Sequence, residues 1–210
     1  MLSRYSTVYF KPTTGSGGNS IIRIRKQANG YQTQLRFTKL SHATKDELFR
    51  KLQKHASSRS YLLQKGIKLA TTRGKPFDLR IMMQKTNDGQ WVNSGIFSKI
   101  GKPGVVATNY NQGGKIGFLT PTLSGAGYSQ ADIRQMKSRL KKLGKDVGKC
   151  FDRHKKGFRE LGLDVALDRN RKMWILEVNT RPQFYPLKQM NDTSIYRRIV
   201  YYAKQYGRTK

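Results

Sequence analysis

An α+β fold built on antiparallel sheets is predicted by three features of the sequence. Runs of alternating apolar and polar residues are joined by short turns rich in Gly, Asn and Asp, the pattern of β-hairpins. Two segments repeat apolar residues at three- and four-residue spacing behind capping boxes, the pattern of amphipathic helices. The chain has 210 residues, 36% of them hydrophobic and 10% aromatic, enough for one substantial core or two small lobes.

In chain order, residues 5–11 (YSTVYFK) read as a strand that runs into a loop holding Gly15, Ser16, Gly17 and Gly18. A second strand starts at Ile21, and an Asn29-Gly30 turn of the I′ type makes residues 21–37 a hairpin. Thr44 with Glu47 three residues on is a capping box, opening a helix to about Ala56. A short apolar strand, YLLQK, follows at 61–65. Residues 77–85 and 90–100 form a further hairpin about Asp88-Gly89, with Asp78 and Arg80 on one face and Phe77, Leu79 and Ile81 on the other. Residues 101–127, glycine-rich and without periodicity, read as a long functional loop containing Asn109 and Gln112. Ser129 with Asp132 caps the largest helix, whose apolar stripe runs to Leu161 and whose other face carries Arg134, Lys137, Lys141, Lys145 and Lys149. Gly162 is expected to stop it. A last helix, capped by Thr193 or Ser194, spans 195–206 before Gly207.

Residues 163–182 carry the strongest chemical signal. Both halves alternate, and with Asn170 and Arg171 as a two-residue loop, Asp164 stands opposite Glu177 with Asn179 farther along the same face. Opposed carboxylates repel unless positive charge lies between them. A hard dication answers this, since magnesium takes one or two carboxylates and fills its shell with water and phosphate; the alternative is a solvated polar face. The glycine loop with Lys11 at its base can place backbone N–H groups and a point charge on phosphates, or be a plain turn. Asp78 and Arg80 are either part of a site or a salt bridge across the sheet.

Composition narrows the function classes. The 42 Lys and Arg against 12 Asp and Glu give a net charge of +30, spread along the whole chain. Such a field favours acidic substrates or surfaces, or else reflects solvated faces tuned for solubility. The one cysteine, Cys150, excludes an internal disulfide framework, and His42, His55 and His154 lack metal-ligand spacing. No apolar run reaches the roughly 20 residues of a membrane helix, and no signal peptide opens the chain, so a cytoplasmic setting is expected. No helix-turn-helix, RNA-recognition aromatic pair or zinc knuckle is present, so a nucleic-acid-binding module would rest on charge alone.

The ordered phrases FKPTTGSGGNSI, YLLQKGI, KPFDLRIMMQK, TNYNQGG and GLDVALDRNRKMWILEVNTRP resemble the ATP-grasp enzymes, in particular the YheC/YheD-type endospore coat-associated proteins. The resemblance implies an ATP-grasp fold in which two α+β lobes with antiparallel sheets grip ATP: an N-terminal lobe over residues 1–65 and a C-terminal lobe over 66–210. It implies ATP as ligand with magnesium, or manganese in its place. Lys11 matches a phosphate-binding lysine, Gly15, Ser16, Gly17 and Gly18 the flap over the phosphates, and Leu63, Gln64 and Lys65 the hinge that reads adenine. Asp78 matches a ribose-binding acid, Arg80 a phosphate-binding arginine, and Asp164, Glu177 and Asn179 the metal ligands; Asn109 and Arg181 are placed toward the acceptor. Lys11 and Arg80 thereby become the catalytic pair of a carboxylate–amine ligase working through an acyl phosphate. The alternatives are a catalytically silent ATP-binding spore-coat or scaffold protein and, third, the basic nucleic-acid module. The usual preceding domain is expected to be missing, which would call for a partner chain or self-association. The carboxylate substrate and nucleophile are unnamed by the resemblance, with an acidic polymer or peptide suited to the charge.

Overall fold

The structure, a computed structural model, describes all residues other than 16–17, 19, 57–58, 103–105, 107, 109–112 and 209–210. Ser16, Gly17, Asn109 and Gln112 therefore lie outside the described residues.

The first sheet has five antiparallel strands in the order β4-β3-β2-β1-β5, from β1 (Thr7–Pro12), β2 (Ile22–Gln27), β3 (Gly30–Leu35), β4 (Thr38–His42) and β5 (Tyr61–Lys65). Helix α1 (Lys45–His55) covers one face, burying Leu48 against Ile22, Ile24 and Tyr31. Its cap forms as expected: the Thr44 hydroxyl accepts from the Glu47 N–H, while Glu47 accepts from the neighbouring Ala43 N–H at 2.8 Å. The β2–β3 turn differs from the I′ expectation. Gln27 pairs with Gly30, so Ala28 and Asn29 form the loop, and neither has the positive φ that a I′ turn requires. Gly30 takes it instead, at 112°. The second strand of this hairpin ends at Leu35, and the chain turns through Arg36 into β4, a strand without an alternating pattern to announce it.

The second sheet runs β11-β10-β7-β8-β9, all antiparallel, with the two-residue β6 (Thr71–Thr72) paired to β7. Its strands are β7 (Lys75–Lys85), β8 (Trp91–Ile100), β9 (Lys115–Phe118), β10 (Glu160–Leu167) and β11 (Met173–Asn179). One face packs Phe77, Leu79, Ile81 and Leu163 onto Ile133, Met136 and Leu140 of α3 (Gln130–His154), forming the main core. The other face carries Asp78, Arg80 and Lys99 at one end. At its other end Met82 and Phe97 lie beneath Phe184, the 3-10 turn Tyr185–Gln189 and Ile199, which belongs to the last helix, α4 (Ser194–Lys204). One end of this face is thus a cluster of buried charges and the other a second small core.

Three expectations are corrected here. The stretch 101–127 is not loop throughout: β9 and a short helix, α2 (Leu119–Ser124), close it. The long helix stops at His154 rather than Leu161, and Leu161 and Gly162 belong to β10, buried between β7 and β11. The apolar residues at 158 and 161 kept a helical spacing by chance of sequence while the chain had already turned. The 163–182 hairpin turns through residues 169–171 with Arg171 at φ 61°, a three-residue turn instead of the two-residue loop.

Helix α3 approaches the sheet closely where Gly148 meets Trp91, whose indole N–H donates to Asp152 at 2.8 Å. A Cβ at position 148 would stand 2.6 Å from Trp91 Cγ. Gly148→Ala should therefore lower stability by about 1–2 kcal/mol, overpacking outweighing the better helix propensity of alanine. Urea denaturation of the purified variant measures this.

Candidate functional site

Between the lobes lie two cavities of about 680 and 580 Å³. They share a wall formed by Lys11, Ile21, Lys99, Asp164 and Glu177. The larger extends along Gly15, Gly18, Arg80, Asn179 and Arg181, and the smaller along Gln64, Lys65, Asp78 and Thr108.

The wall follows from strand register. On the cleft face of the second sheet Asp164 of β10 pairs with Arg80 of β7 on one side and with Glu177 of β11 on the other, while Asp78 of β7 pairs with Lys99 of β8. The expected Asp164–Glu177 opposition is therefore present. It survives the longer turn because β11 carries a bulge: Asp164 faces Glu177 but Val165 faces Ile175, leaving Leu176 as the extra residue. Bulging turns the Leu176 carbonyl toward the other lobe, where Lys11 Nζ donates to it at 2.9 Å and Gln64 Nε2 at 3.2 Å. Lys65, next in β5, sits over the rings of Tyr5 at 5.0 Å and Trp174 at 4.7 Å. Lys11 of β1 with Gln64 and Lys65 of β5 thus dock the first sheet onto the hairpin.

Beneath the wall is a buried ion cluster. Arg80 Nε and Nη2 donate to the two Asp164 oxygens at 2.5 and 3.0 Å, and Lys99 Nζ lies 3.0 Å from both Asp164 Oδ2 and Asp78 Oδ1. The Thr108 hydroxyl donates to the other Asp78 oxygen. All four charged residues are nearly inaccessible, from 2% exposed for Asp78 to 9% for Arg80. Burial by itself raises the Asp164 pKa, but Lys99 and Arg80 together outweigh it and hold the carboxyl down at about 2. For Asp78 burial wins over Lys99, and its pKa is raised. Burial pulls Arg80 and Lys99 down, yet Asp164 and Asp78 reverse this and both cations are held more firmly charged than usual.

Among the expected site residues, Lys11, Gly15, Gly18, Arg80, Asp164, Glu177, Asn179 and Arg181 meet at the larger cavity, and Gln64, Lys65 and Asp78 line the smaller one. Leu63 has its side chain exposed and lines neither. Asp78 faces Lys99 and Thr108. Lys99 went unremarked in the sequence; counting outward from Asp88-Gly89 as a two-residue turn would have set it opposite Asp78.

For a metal ion the donor set is suitable but shared. Glu177 has no ion pair or hydrogen bond among the described residues, and Asn179 uses its Nδ2 on the Gly162 carbonyl, leaving Oδ1. Asp164 has given three of its roughly four lone-pair sites to Arg80 and Lys99. One free carboxylate, an amide oxygen and a partly used second carboxylate fit the partial shell of a magnesium ion completed by water and phosphate. The basic residues 134, 137, 141, 145 and 149 are exposed on α3, across the sheet from the cleft.

Two antiparallel-sheet lobes facing across a cleft, with β5 and the β10–β11 hairpin in this order, define an ATP-grasp fold. A biotin carboxylase from Campylobacter jejuni, solved as a β,γ-ATP complex, superposes with a TM-score of 0.52 at 13% identity, over 97% of this chain and 38% of that one. The family described as YheC/D-like ATP-grasp matches residues 1–209, and the chain belongs to it. Two curated relatives come from Bacillus subtilis strain 168: the endospore coat-associated protein YheD, 27% identical over 184 residues, and YheC, 24% identical over 201 residues. The matches take in 85% and 86% of this chain but 40% and 50% of the relatives, so the chain spans about half their length or less.

The ion cluster makes a pH prediction. Because the folded-state pKa of Asp164 is depressed, its contribution is present above the ordinary carboxylate value of about 3.9 and is lost as pH falls toward about 2. Asp164→Asn, which strips the buried Arg80 of its partner and leaves Lys99 with Asp78 alone, should cost about 3–5 kcal/mol at pH 7. In chemical denaturation followed from pH 6 to pH 2, the gap between wild type and variant should close below pH 4.

Proposed function

We propose that the cleft binds ATP with a divalent metal ion and that the protein is a carboxylate–amine ligase of the acyl-phosphate type. The observation that carries this reading is the shared wall, where Lys11 of the first lobe meets Glu177 and the Arg80–Asp164–Lys99 cluster of the second. The smaller cavity, bounded by Gln64 and Lys65 of β5 together with Ile67 and Leu69, takes the nucleoside; the larger, with Asn179 and Arg181, takes the acceptor. The phosphates then lie at the wall, under the loop that contains Gly15 and Gly18.

Magnesium, or manganese with the same preference for oxygen donors, would be held by Glu177, Asn179 and the remaining lone pair of Asp164, and supplies positive charge against phosphate oxygens when bound. The chain's own cations act beside it. Lys11 exchanges the Leu176 carbonyl for a phosphate oxygen. Arg80 keeps Nη1 outside its pair with Asp164, and Lys99 keeps one N–H beyond its two carboxylates, so both can donate to the transferring phosphoryl group without moving. Neither needs to reorganise, because the buried carboxylates already fix them. No side chain in this scheme acts as a nucleophile. No helix among the described residues is long and apolar enough to cross a membrane; the coat association in the names of YheD and YheC supports a spore setting for this protein.

Thermal unfolding tests the reading. Magnesium with ATP at a hundredfold excess over Kd should raise Tm by about 5–10 °C, and Glu177→Ala should remove the magnesium-dependent part of the rise. A wild-type protein with no shift overturns the proposal. ADP release against a panel of carboxylates and amines then reports turnover, and its absence across the panel alongside a full shift would leave a nucleotide binder without ligase activity.

A further inference from the structure

We propose that the acceptor carries a second anionic group besides the carboxylate that reacts, and that Arg59 and Arg181 grip it; this rests on the ligase reading above. The cations along the larger cavity differ in how they are matched. Arg80 and Lys99 are paired with Asp164 and Asp78. Lys11 stands at the wall on the Leu176 carbonyl, within reach of the nucleotide side. Arg59, which follows α1 in the first lobe, and Arg181, which follows β11 in the second, both line the larger cavity and not the smaller. Neither side chain has an ion pair or hydrogen bond among the described residues, and both are exposed.

The protein offers them no carboxylate of its own. Glu177 is the one unpaired acid on this cavity, and it lies at the wall where the metal ion would take its charge. A monocarboxylate acceptor, whose one charge reacts at the wall, therefore leaves both guanidiniums unmatched in a cleft already rich in positive charge. A guanidinium fork fits a carboxylate or a phosphate with two parallel hydrogen bonds, so either anion satisfies the pair. Leu62, Ile116 and Pro186 line the same cavity and suit an aliphatic spacer between two charged ends. The substrate class is thus an acidic one, a dicarboxylate, acidic peptide or phosphorylated acid. The net charge of +30 acts in the same direction at longer range, drawing acidic molecules toward the cleft.

Three tripeptides with free carboxyl termini test this, titrated into protein saturated with magnesium and the β,γ-imido analogue of ATP and followed by calorimetry. Triglutamate should bind at least tenfold more tightly than triglutamine, which has the same size and a single carboxylate. Triphosphoserine distinguishes the two anion chemistries: binding tighter than triglutamate assigns the second group as phosphate, and weaker binding assigns it as carboxylate. Arg59→Ala should bring triglutamate to the triglutamine level and Arg59→Lys should recover part of the difference, with apo melting temperatures confirming that each variant is folded. Equal binding of triglutamate and triglutamine, or an Arg59→Ala protein that still discriminates between them, overturns the proposal. The wild-type thermal shift with the magnesium nucleotide is read first. If that shift is absent the ATP reading itself fails, whereas a normal shift with undiscriminated peptides defeats the acidic acceptor alone.

Discussion

Asp164 is a charge with almost no access to water, and the second lobe is arranged around keeping it charged. An isolated carboxylate in such a place would take up a proton, since burial costs a charged group several kcal/mol. Arg80 comes from the strand on one side and Lys99 from the strand beyond it, so three adjacent strands must hold their register for the cluster to exist. Lys99 is shared with Asp78, which makes the four groups a unit in which removing any one leaves the others unbalanced. The same alternation that sends these residues to the cleft sends Phe77, Leu79 and Ile81 into the main core. Chemistry and stability are therefore the two faces of one sheet, and a register slip of one residue would exchange them.

Both hairpins that build the cleft contain a bulge. In β7–β8 the extra residue is Ser94, between Met82 opposite Gly95 and Met83 opposite Asn93; in β10–β11 it is Leu176. Each bulge offsets a turn longer than two residues, so the pairings nearest the site come out as if the turns had been tight. This explains how a reading based on the wrong turn at residues 170–171 still set Asp164 against Glu177. Alternation specifies which side chains share a face, and that information survives an error in the turn when a later bulge cancels it.

Where the pattern was local and periodic it was legible: the alternation of residues 77–81 and 163–167, and the caps at Thr44 and Ser129, lie where the chain alone implies them, whereas the bulge at Leu176 puts Met173, in place of Trp174, against the core with Val178. Where an element depends on its neighbours it was not. Strand β4 has four exposed residues out of five, and only pairing with β3 makes it a strand. Strand β9 and helix α2 hold few residues each, too few to show a period of their own, and lean on the elements that flank them, β8 and α3. Phe158 and Leu161 looked helical because their apolar spacing matched the preceding stripe, yet pairing with β7 decides the conformation at Leu161. For the site, carboxylates at strand spacing pointed to a cation, while the assignment of roles to Lys11, Gln64 and Arg80 came from resemblance. Lys99 could be found only by counting register outward from Asp88-Gly89, and Arg59 carried no cue. Among 42 basic residues an arginine in a loop, such as Arg59, is invisible until the fold shows what stands beside it.

The bulge at Leu176 has one further effect, on how Lys11 stands ready. A lysine side chain free in water gives up as much as about 2 kcal/mol of rotamer entropy when it is fixed. Here the long stem is already stretched across the lobe boundary, with its ammonium group on a carbonyl that also receives Gln64. In the proposed function an incoming phosphate would meet an immobilised charge and swap one acceptor for a stronger one, while Gln64 would stay behind to keep the carbonyl satisfied. Capture of a phosphate would then be an exchange of partners at a preset position, and a kink in a strand next to Glu177, with no side-chain chemistry of its own, is what presets that position.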